Sequence, residues 1–174
     1  MPHEECVSGG GDIRTYSVGT DRPIPVRDVT RSGRLFCREV DANFDGRVDL
    51  TRFFDEQGRT RLVEDDYDFD GRVDVVATYQ NGQVVSDILD TNFDGRTDTW
   101  RFYSEGRVVR QERDANNDRL VDMWEEFDAQ GNVTRTLTDA NGDGRPDEPA
   151  TETPAPASSP NAPSDAGAPQ GDAA

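Results

Sequence analysis

Short stretches rich in β-branched and aromatic residues follow one another along the middle of the chain. Residues 73–79, 84–89 and 97–103 show the Val, Ile, Thr, Tyr, Trp and Phe content that is typical of β-strands. The segments between neighbouring turn signals are too short to hold a helix together with its turn. The pattern therefore predicts an all-β fold.

A regularly placed glycine divides these stretches into pairs. The glycines at positions 33, 58, 82, 106 and 131 each stand eight residues before an aspartate that opens an acidic segment. Some repeats are one residue longer than others, and the extra residue always lies before the glycine. Residues 55–58 of one repeat, for example, correspond to residues 80–82 of the next. A turn tolerates an inserted residue, whereas a paired strand does not. Each glycine therefore predicts a hairpin turn between two strands.

Five acidic segments of nine residues separate the predicted hairpins, and we number them loops 1 to 5. They cover residues 41–49, 66–74, 90–98, 114–122 and 139–147, and their starts are 25, 24, 24 and 25 residues apart. Each has Asp at place one, Asp or Asn at place three, and Asp at places five and nine. We expect an elongated antiparallel array of about five β-hairpin repeats of 24–25 residues, with the Asp-rich loops on one edge and the glycine turns on the other. Residues 24–40 form a hairpin with no preceding loop and are predicted to be an N-terminal cap.

The loops carry the chemistry of a hard-cation site. Alternate side chains of a tight loop point inward, and oxygen ligands at alternate places suit calcium, with up to five ions in the array. Glycine at place six predicts a backbone with positive φ, and place seven, commonly Arg, is expected to offer its carbonyl. The predicted ligands are Asp41, Asn43, Asp45, Asp49, Asp66, Asp68, Asp70, Asp74, Asp90, Asn92, Asp94, Asp98, Asp114, Asn116, Asp118, Asp122, Asp139, Asn141, Asp143 and Asp147.

The five loops are not expected to bind equally. Loop 2 has four Asp side chains and is predicted to be the strongest site, whereas loop 4 is the weakest because Arg119 replaces the glycine at place six. The alternative interpretation is that Asp-Gly and Asn-x-Asp phrases only make turns.

The loops resemble the calcium loops of the EF-hand superfamily, most closely the short Asp-x-Asp/Asn-x-Asp-Gly loops of dockerin modules and thrombospondin type 3 repeats. The segment that runs from Glu126 through Gly131 and Asp139 to Gly142 is similar to the Tyr-Asp repeats of bacterial surface and toxin shells. Together these resemblances imply a calcium-binding repeat protein that is secreted by a bacterium or displayed on its surface.

Composition limits the partners. The chain of 174 residues is 32% hydrophobic and 32% charged, with a formal charge of −17, so phosphate backbones would be repelled and no nucleic-acid partner is expected. Adjacent carboxylates repel one another, and we expect the array to loosen when the metal is removed. No stretch is apolar enough to span a membrane.

Residues 1–22 are predicted to be a flexible lead-in, residues 23–147 the repeat domain, and residues 148–174 a disordered Pro/Ala/Ser-rich tail.

The two cysteines and the start of the chain bear on localisation. Cys6 is either bonded to Cys37, free, or the acylated first residue of a mature lipoprotein. The first residues show no apolar export segment, so the protein either is cytoplasmic or has lost its signal peptide. We favour an extracytoplasmic location, because modest calcium sites fill only at extracellular concentrations.

The favoured function is a non-enzymatic, calcium-stabilised structural or adhesion protein whose partner is another surface protein or a polysaccharide. No catalytic residue is predicted, since His3 is the only histidine and a His-dependent triad or multi-His zinc site is excluded. The alternative is a metal-independent module that contacts a basic protein or a glycan through its acidic loops, with Trp100 and Trp124 stacking on sugar rings. Packing within the hairpins is the competing explanation for the two tryptophans.

Overall fold

Every regular element in the described part of the chain is a strand. The computed structural model describes residue 6, residues 9–147 and the backbone of residues 151–152. The strands are β1 (Asp12–Val18), β2 (Ile24–Arg31), β3 (Arg34–Val40), β4 (Leu50–Phe54), β5 (Thr60–Asp65), β6 (Val75–Gln80), β7 (Gln83–Leu89), β8 (Thr99–Ser104), β9 (Arg107–Arg113), β10 (Met123–Phe127), β11 (Val133–Thr138) and β12 (Thr151–Glu152). The all-β prediction is confirmed. Among these residues there is no helix long and apolar enough to cross a membrane.

The strands form one open antiparallel sheet in which the spatial order equals the sequence order. Because each strand pairs antiparallel with the next, successive connections alternate between the two ends of the strands. Loops 1 to 4 connect β3 to β4, β5 to β6, β7 to β8 and β9 to β10, and loop 5 follows β11. All five therefore lie at the same end of the strands, which we call the loop edge.

Tight turns occupy the opposite end, and the predicted hairpins are confirmed. In three of them both central residues have positive φ, as in a type I′ turn, whose twist matches that of the strands. These turns are Ser32-Gly33 (52° and 73°), Asn81-Gly82 (53° and 80°) and Glu105-Gly106 (52° and 76°). In the two longer turns an aspartate side chain holds the turn together instead. Asp55 accepts hydrogen bonds from the amides of Gln57 and Arg59, and Asp128 accepts them from the amides of Gln130 and Asn132.

The flexible lead-in predicted for residues 1–22 needs correction, because β1 lies inside it. This strand pairs with β2 along its whole length, and the Tyr16 hydroxyl donates to Asp28 Oδ2 at 3.2 Å. The weakly alternating sequence of β1 is held in place by its neighbour rather than by its own propensity. In the predicted tail, Thr151–Glu152 pairs with β11. Residues 148–150 and 153–174 lie outside the described residues.

A small apolar core lies at the N-terminal end of the sheet. Val29, Cys37 and Phe53 stand opposite one another on β2, β3 and β4 and are at most 1% exposed. The disulfide between Cys6 and Cys37 fastens the preceding segment over this row. Burying a side chain of this kind contributes about 1.5–3 kcal/mol, so a few residues suffice to anchor this end.

Elsewhere the sheet buries ion pairs. Asp87 on β7 stands opposite Arg101 on β8, accepts hydrogen bonds from its Nε and Nη2 at 2.9 and 2.7 Å, and is 6% exposed. The Tyr103 hydroxyl adds a third hydrogen bond to this carboxylate at 2.8 Å. Hydrogen bonding to Asp87 raises the pKa of Arg101, while burial and the same carboxylate raise the pKa of Tyr103 to about 12. Tyr16, Asp28 and Arg38 repeat the arrangement near the other end of the sheet.

We predict that Asp87→Asn lowers the free energy of unfolding by about 2 kcal/mol, because it leaves the Arg101 guanidinium without its carboxylate. Urea denaturation followed by circular dichroism measures the loss. The matched control is Glu105→Gln, whose carboxylate is 85% exposed and lies 3.8 Å from Arg107. An equal loss in both variants would contradict the assignment of stability to the buried pair.

Candidate metal centre

All five loops follow the same backbone path. Places four and six have positive φ in every loop, including at side chains that rarely adopt it. The place-four residues are Phe44 (71°), Phe69 (64°), Phe93 (60°), Asn117 (62°) and Gly142 (75°). The place-six residues are Gly46 (87°), Gly71 (92°), Gly95 (84°), Arg119 (79°) and Gly144 (78°). The predicted positive φ at place six is therefore present even where Arg119 replaces glycine, whereas the positive φ at place four was not foreseen.

The place-one aspartate closes each loop by accepting backbone hydrogen bonds. Its Oδ2 accepts from the amide of the place-six residue in all five loops, at distances between 2.6 and 3.0 Å. In loops 1, 2 and 4 the place-nine aspartate accepts in turn from the amides of places two and three, as Asp49 does from Ala42 at 2.6 Å and Asn43 at 3.0 Å. Turn formation and the predicted metal ligation would thus draw on the same side chains. The second oxygen of the place-one aspartate accepts a further amide in loops 1, 3, 4 and 5, whereas that of Asp66 in loop 2 has no hydrogen-bond partner.

Two of the predicted sites bring three carboxylates together. In loop 2 the ligand atoms of Asp66, Asp68 and Asp74 lie within 4.8 Å of one another, and in loop 5 those of Asp139, Asp143 and Asp147 do so. Among the described residues no other loop groups three carboxylates this closely. In loop 4 the Asn116 amide donates to Asp118 and Asp122 at 3.1 and 3.0 Å, so a cation there would compete with an internal donor.

The structure also brings neighbouring loops together. The carbonyl of each place-nine aspartate accepts a hydrogen bond from the amide of the next place-one aspartate, at 2.7 Å for Asp49–Asp66, 2.8 Å for Asp74–Asp90, 2.8 Å for Asp98–Asp114 and 2.9 Å for Asp122–Asp139. Within each loop the first and the last aspartate also stand opposite one another. The aspartates of all five loops therefore form a continuous line across the sheet, which we call the aspartate row. It contains Asp41, Asp49, Asp66, Asp74, Asp90, Asp98, Asp114, Asp122, Asp139 and Asp147.

Burial makes this row electrostatically costly. Side chains directly opposite on antiparallel strands have Cβ atoms about 5 Å apart, and like charges there destabilise the sheet. Six members of the row are buried, with 3–7% of their surface exposed: Asp49, Asp66, Asp74, Asp90, Asp98 and Asp114. Burial raises the pKa of Asp74, and it raises the pKa of Asp65, which the charges of Asp66, Asp49 and Asp74 raise further. A bound cation would relieve this repulsion.

Two oxygens of the row have no hydrogen-bond partner. Oδ1 of Asp49 and Oδ1 of Asp66 are buried and unpaired. A buried carboxylate oxygen without a donor is expensive in free energy unless a cation or a proton meets it. The donor set of the loop edge, which consists of carboxylate and amide oxygens, therefore fits a hard divalent cation.

Sequence reasoning missed the contacts that place seven makes through its side chain. Arg47 extends from loop 1 to loop 2, where its Nη1 donates to the Asp70 carbonyl at 3.1 Å. A Cβ on Gly71 would stand 2.8 Å from this nitrogen, and a Cβ on Gly95 would stand 2.6 Å from Arg72 Nη1. The repeated Gly-Arg pair was the available signal. In loops 2 and 3, place six thus lies against the arginine of the preceding loop, in addition to having a positive φ.

The two tryptophans are less accessible than the aromatic residues of the loops. Both stand opposite Glu112, Trp100 from β8 and Trp124 from β10. Trp124 is only 9% exposed and Trp100 is half-buried, which favours packing within the sheet over sugar stacking. By contrast, Tyr67, Phe69 and Phe93 on the loop edge are 59%, 44% and 47% exposed.

The disulfide decides between the alternatives for Cys6. Its sulfur is bonded to Cys37 and is buried, so it is not available for the thioether of a lipid anchor. Within the described residues there is no free cysteine. The lipid anchor that the sequence allowed at Cys6 is therefore incompatible with this disulfide.

Comparison with known proteins defines no family. No protein-family model and no curated protein sequence matches the chain. Among solved structures, the chain is similar to part of the accessory secretory protein 1, 2 and 3 structure of Streptococcus pneumoniae, with 15% identity and a TM-score of 0.39. The match covers 57% of this chain and 18% of the other one. The chain thus spans less than a fifth of that neighbour's length, and the likeness carries no functional argument.

We predict that Gly95→Ala costs more stability than Gly106→Ala. Both glycines have positive φ, which costs an alanine about 1–2 kcal/mol, but only the new methyl group at position 95 would meet a neighbouring side chain, Arg72. Melting temperatures of the two variants measure the difference. In an Arg72→Ala background the cost at position 95 is expected to fall to that at position 106, and no such fall would contradict the proposed contact between loops.

We further predict that Asp65→Asn stabilises the protein in chelator at neutral pH. The pKa of Asp65 is raised above its ordinary value, so its charge opposes folding, and stability is lost as pH rises through this pKa. Thermal melts between pH 4 and 8 should therefore show a flatter profile for the variant. Asp28→Asn provides the opposite control, because hydrogen bonding to Arg38 lowers the pKa of Asp28 and its contribution is lost as pH falls.

Proposed function

We propose that this chain is a non-enzymatic, calcium-binding structural repeat protein of a bacterial cell surface, in which calcium stabilises the sheet along its loop edge. The aspartate row is the observation that carries the proposal. Buried carboxylates that stand opposite one another need positive charge between them, and the loops supply oxygen ligands at the same place.

The individual loops support unequal occupancy. Loops 2 and 5 each offer three carboxylates within 4.8 Å, so they are the first candidates for an ion. Loop 2 was already the preferred site from its four Asp side chains. Loop 4 remains the weakest candidate, because Arg119 adds a positive charge and Asn116 already donates to two of its carboxylates.

Calcium is preferred over magnesium on the ligand set. Calcium accepts six to eight oxygen ligands in flexible geometry, whereas magnesium keeps several waters and demands a regular octahedron. A nine-residue loop that offers several carboxylate oxygens from one chain suits the larger ion. In this role the chain's own residues hold the ion, and none of them is assigned a chemical step.

A surface location is supported by two features. The disulfide between Cys6 and Cys37 suits an oxidising compartment. The loop edge exposes Phe69 and Phe93 in a backbone conformation that disfavours bulky residues, and such strain is commonly retained where a surface contacts a partner. We assign this edge to contact with another surface protein or a polysaccharide.

A metal-independent binding module is the second candidate, and the hydrogen bonding within the loops favours it. Every place-one aspartate already holds its loop closed through a backbone amide. In that case Asp→Asn changes in the loops would weaken partner binding, and each variant would melt at the same temperature in calcium and in chelator.

The test is a calcium titration of chelated protein, followed by circular dichroism and thermal melting. A site with a dissociation constant near 10⁻⁴ M, filled at about 10 mM calcium, stabilises the folded state by roughly 2.7 kcal/mol. The melting temperature should rise by about 2–4 °C for each kcal/mol. Magnesium at equal concentration is the control and is expected to give a smaller rise. A fold that melts identically in calcium and in chelator would exclude the proposal.

A further inference from the structure

One pair in the aspartate row differs from the others. Asp49 closes loop 1 and Asp66 opens loop 2, and the Asp66 amide donates to the Asp49 carbonyl at 2.7 Å. Leu50 stands opposite Asp65, so Asp49 and Asp66 are the next pair of residues along the same two chain segments. Because directly opposite residues point to the same side of a sheet, their side chains share one face. They are 4% and 3% exposed, and each has an Oδ1 atom without a hydrogen-bond partner.

We propose that a hard divalent cation of the calcium class binds between the Oδ1 atoms of Asp49 and Asp66 and bridges loops 1 and 2. This site lies between two loops, whereas each site of the proposed function lies within a single loop. Asp66 is shared, because its oxygen also belongs to the loop 2 cluster with Asp68 and Asp74. The inference extends that function, since both take the loop edge to be a cation-binding surface.

Two of the three other pairs between loops, Asp98–Asp114 and Asp122–Asp139, show how the same position is satisfied without an ion. Asp98 Oδ1 accepts hydrogen bonds from the hydroxyls of Thr99 and Thr91 at 2.7 and 2.8 Å, and Asp114 Oδ1 accepts from the Asp118 amide at 3.2 Å. Asp122 Oδ1 accepts from the Asn116 amide group at 3.0 Å, and its neighbour Asp139 Oδ1 accepts from the Gly142 amide at 2.8 Å. These partners are absent at Asp49 because place ten is Leu50 and place two is Ala42.

The surroundings of the pair favour a cation. Asp65 and Asp74 lie close enough to add their negative charge, and the other oxygens of Asp49 and Asp66 are already occupied by backbone amides. The two unpaired oxygens are therefore held in position by the loops on either side. Two carboxylate oxygens fixed in this way form the nucleus of a hard-cation site, and carbonyls or water complete its coordination.

Leu50→Thr tests the bridge without removing a carboxylate. It places a hydroxyl beside Asp49 as Thr99 does beside Asp98, so that the unpaired oxygen gains a donor. Equilibrium dialysis against calcium chloride should then recover one ion fewer per chain than with the wild type, or show one site weakened at least tenfold. Met123→Thr is the matched control, because it makes an apolar-to-threonine change at place ten of loop 4, where Asp122 already has a donor; its ion count should not change.

The possible results separate the two proposals. A wild type that binds no calcium overturns both. A wild type that binds calcium, with an equal ion count in Leu50→Thr, overturns the bridge and leaves the loop sites standing. If Leu50→Thr raises the melting temperature in chelator without changing the ion count, a proton rather than a metal ion meets the two oxygens, and the bridge is again overturned.

A second pair of variants applies if Leu50→Thr does not fold. Asp49→Asn and Asp98→Asn remove the place-nine carboxylate from loops 1 and 3, both of which have Asn at place three. With the bridge, Asp49→Asn loses one ion more than Asp98→Asn. Equal losses would count against the bridge.

Discussion

The register between consecutive loops is the constraint on which the rest of the structure depends. The last aspartate of one loop must stand opposite the first aspartate of the next, and the hairpin between them sets this alignment. The separation is 16 residues from Asp74 to Asp90 and from Asp98 to Asp114, and 17 residues from Asp49 to Asp66 and from Asp122 to Asp139. The longer hairpins have the longer turns, at residues 55–59 and 128–132, so the extra residue is absorbed far from the loops. A shift by one residue would turn every aspartate of the row to the other face.

The sheet obtains little stability from a hydrophobic interior. Its apolar core is confined to the first strands, around Phe53 and the disulfide, and most buried side chains elsewhere are acidic. In the remaining strands the backbone ladder, cross-strand ion pairs such as Asp87–Arg101 and the contacts between loops hold the fold together. This distribution makes the loop edge the part of the molecule whose stability responds most to ionic conditions.

Most of the fold was predictable because turns and strands have local signatures. The fixed interval from Gly82 to Asp90 revealed the hairpins, and alternate oxygen-bearing residues revealed the loops. The strand β1 was missed because its pairing with β2 is decided by a neighbour, not by its own composition. The aspartate row was missed for a related reason. Each loop was considered alone, whereas the pairing of Asp49 with Asp66 depends on the full hairpin between them. The side-chain contact of Arg47 with the next loop likewise becomes visible only when two loops are placed side by side.

The sequential order of the strands has a consequence for how the chain is assembled. Within the described residues each strand contacts only the strands immediately before and after it in sequence. Each strand pairing can therefore form as soon as the second of its two strands has been synthesised, and no strand depends on a partner that is distant in sequence. Whole hairpins can also be gained or lost by duplication and deletion within the gene without breaking pairings elsewhere, so the length of the sheet is a variable that selection can adjust in steps of one unit.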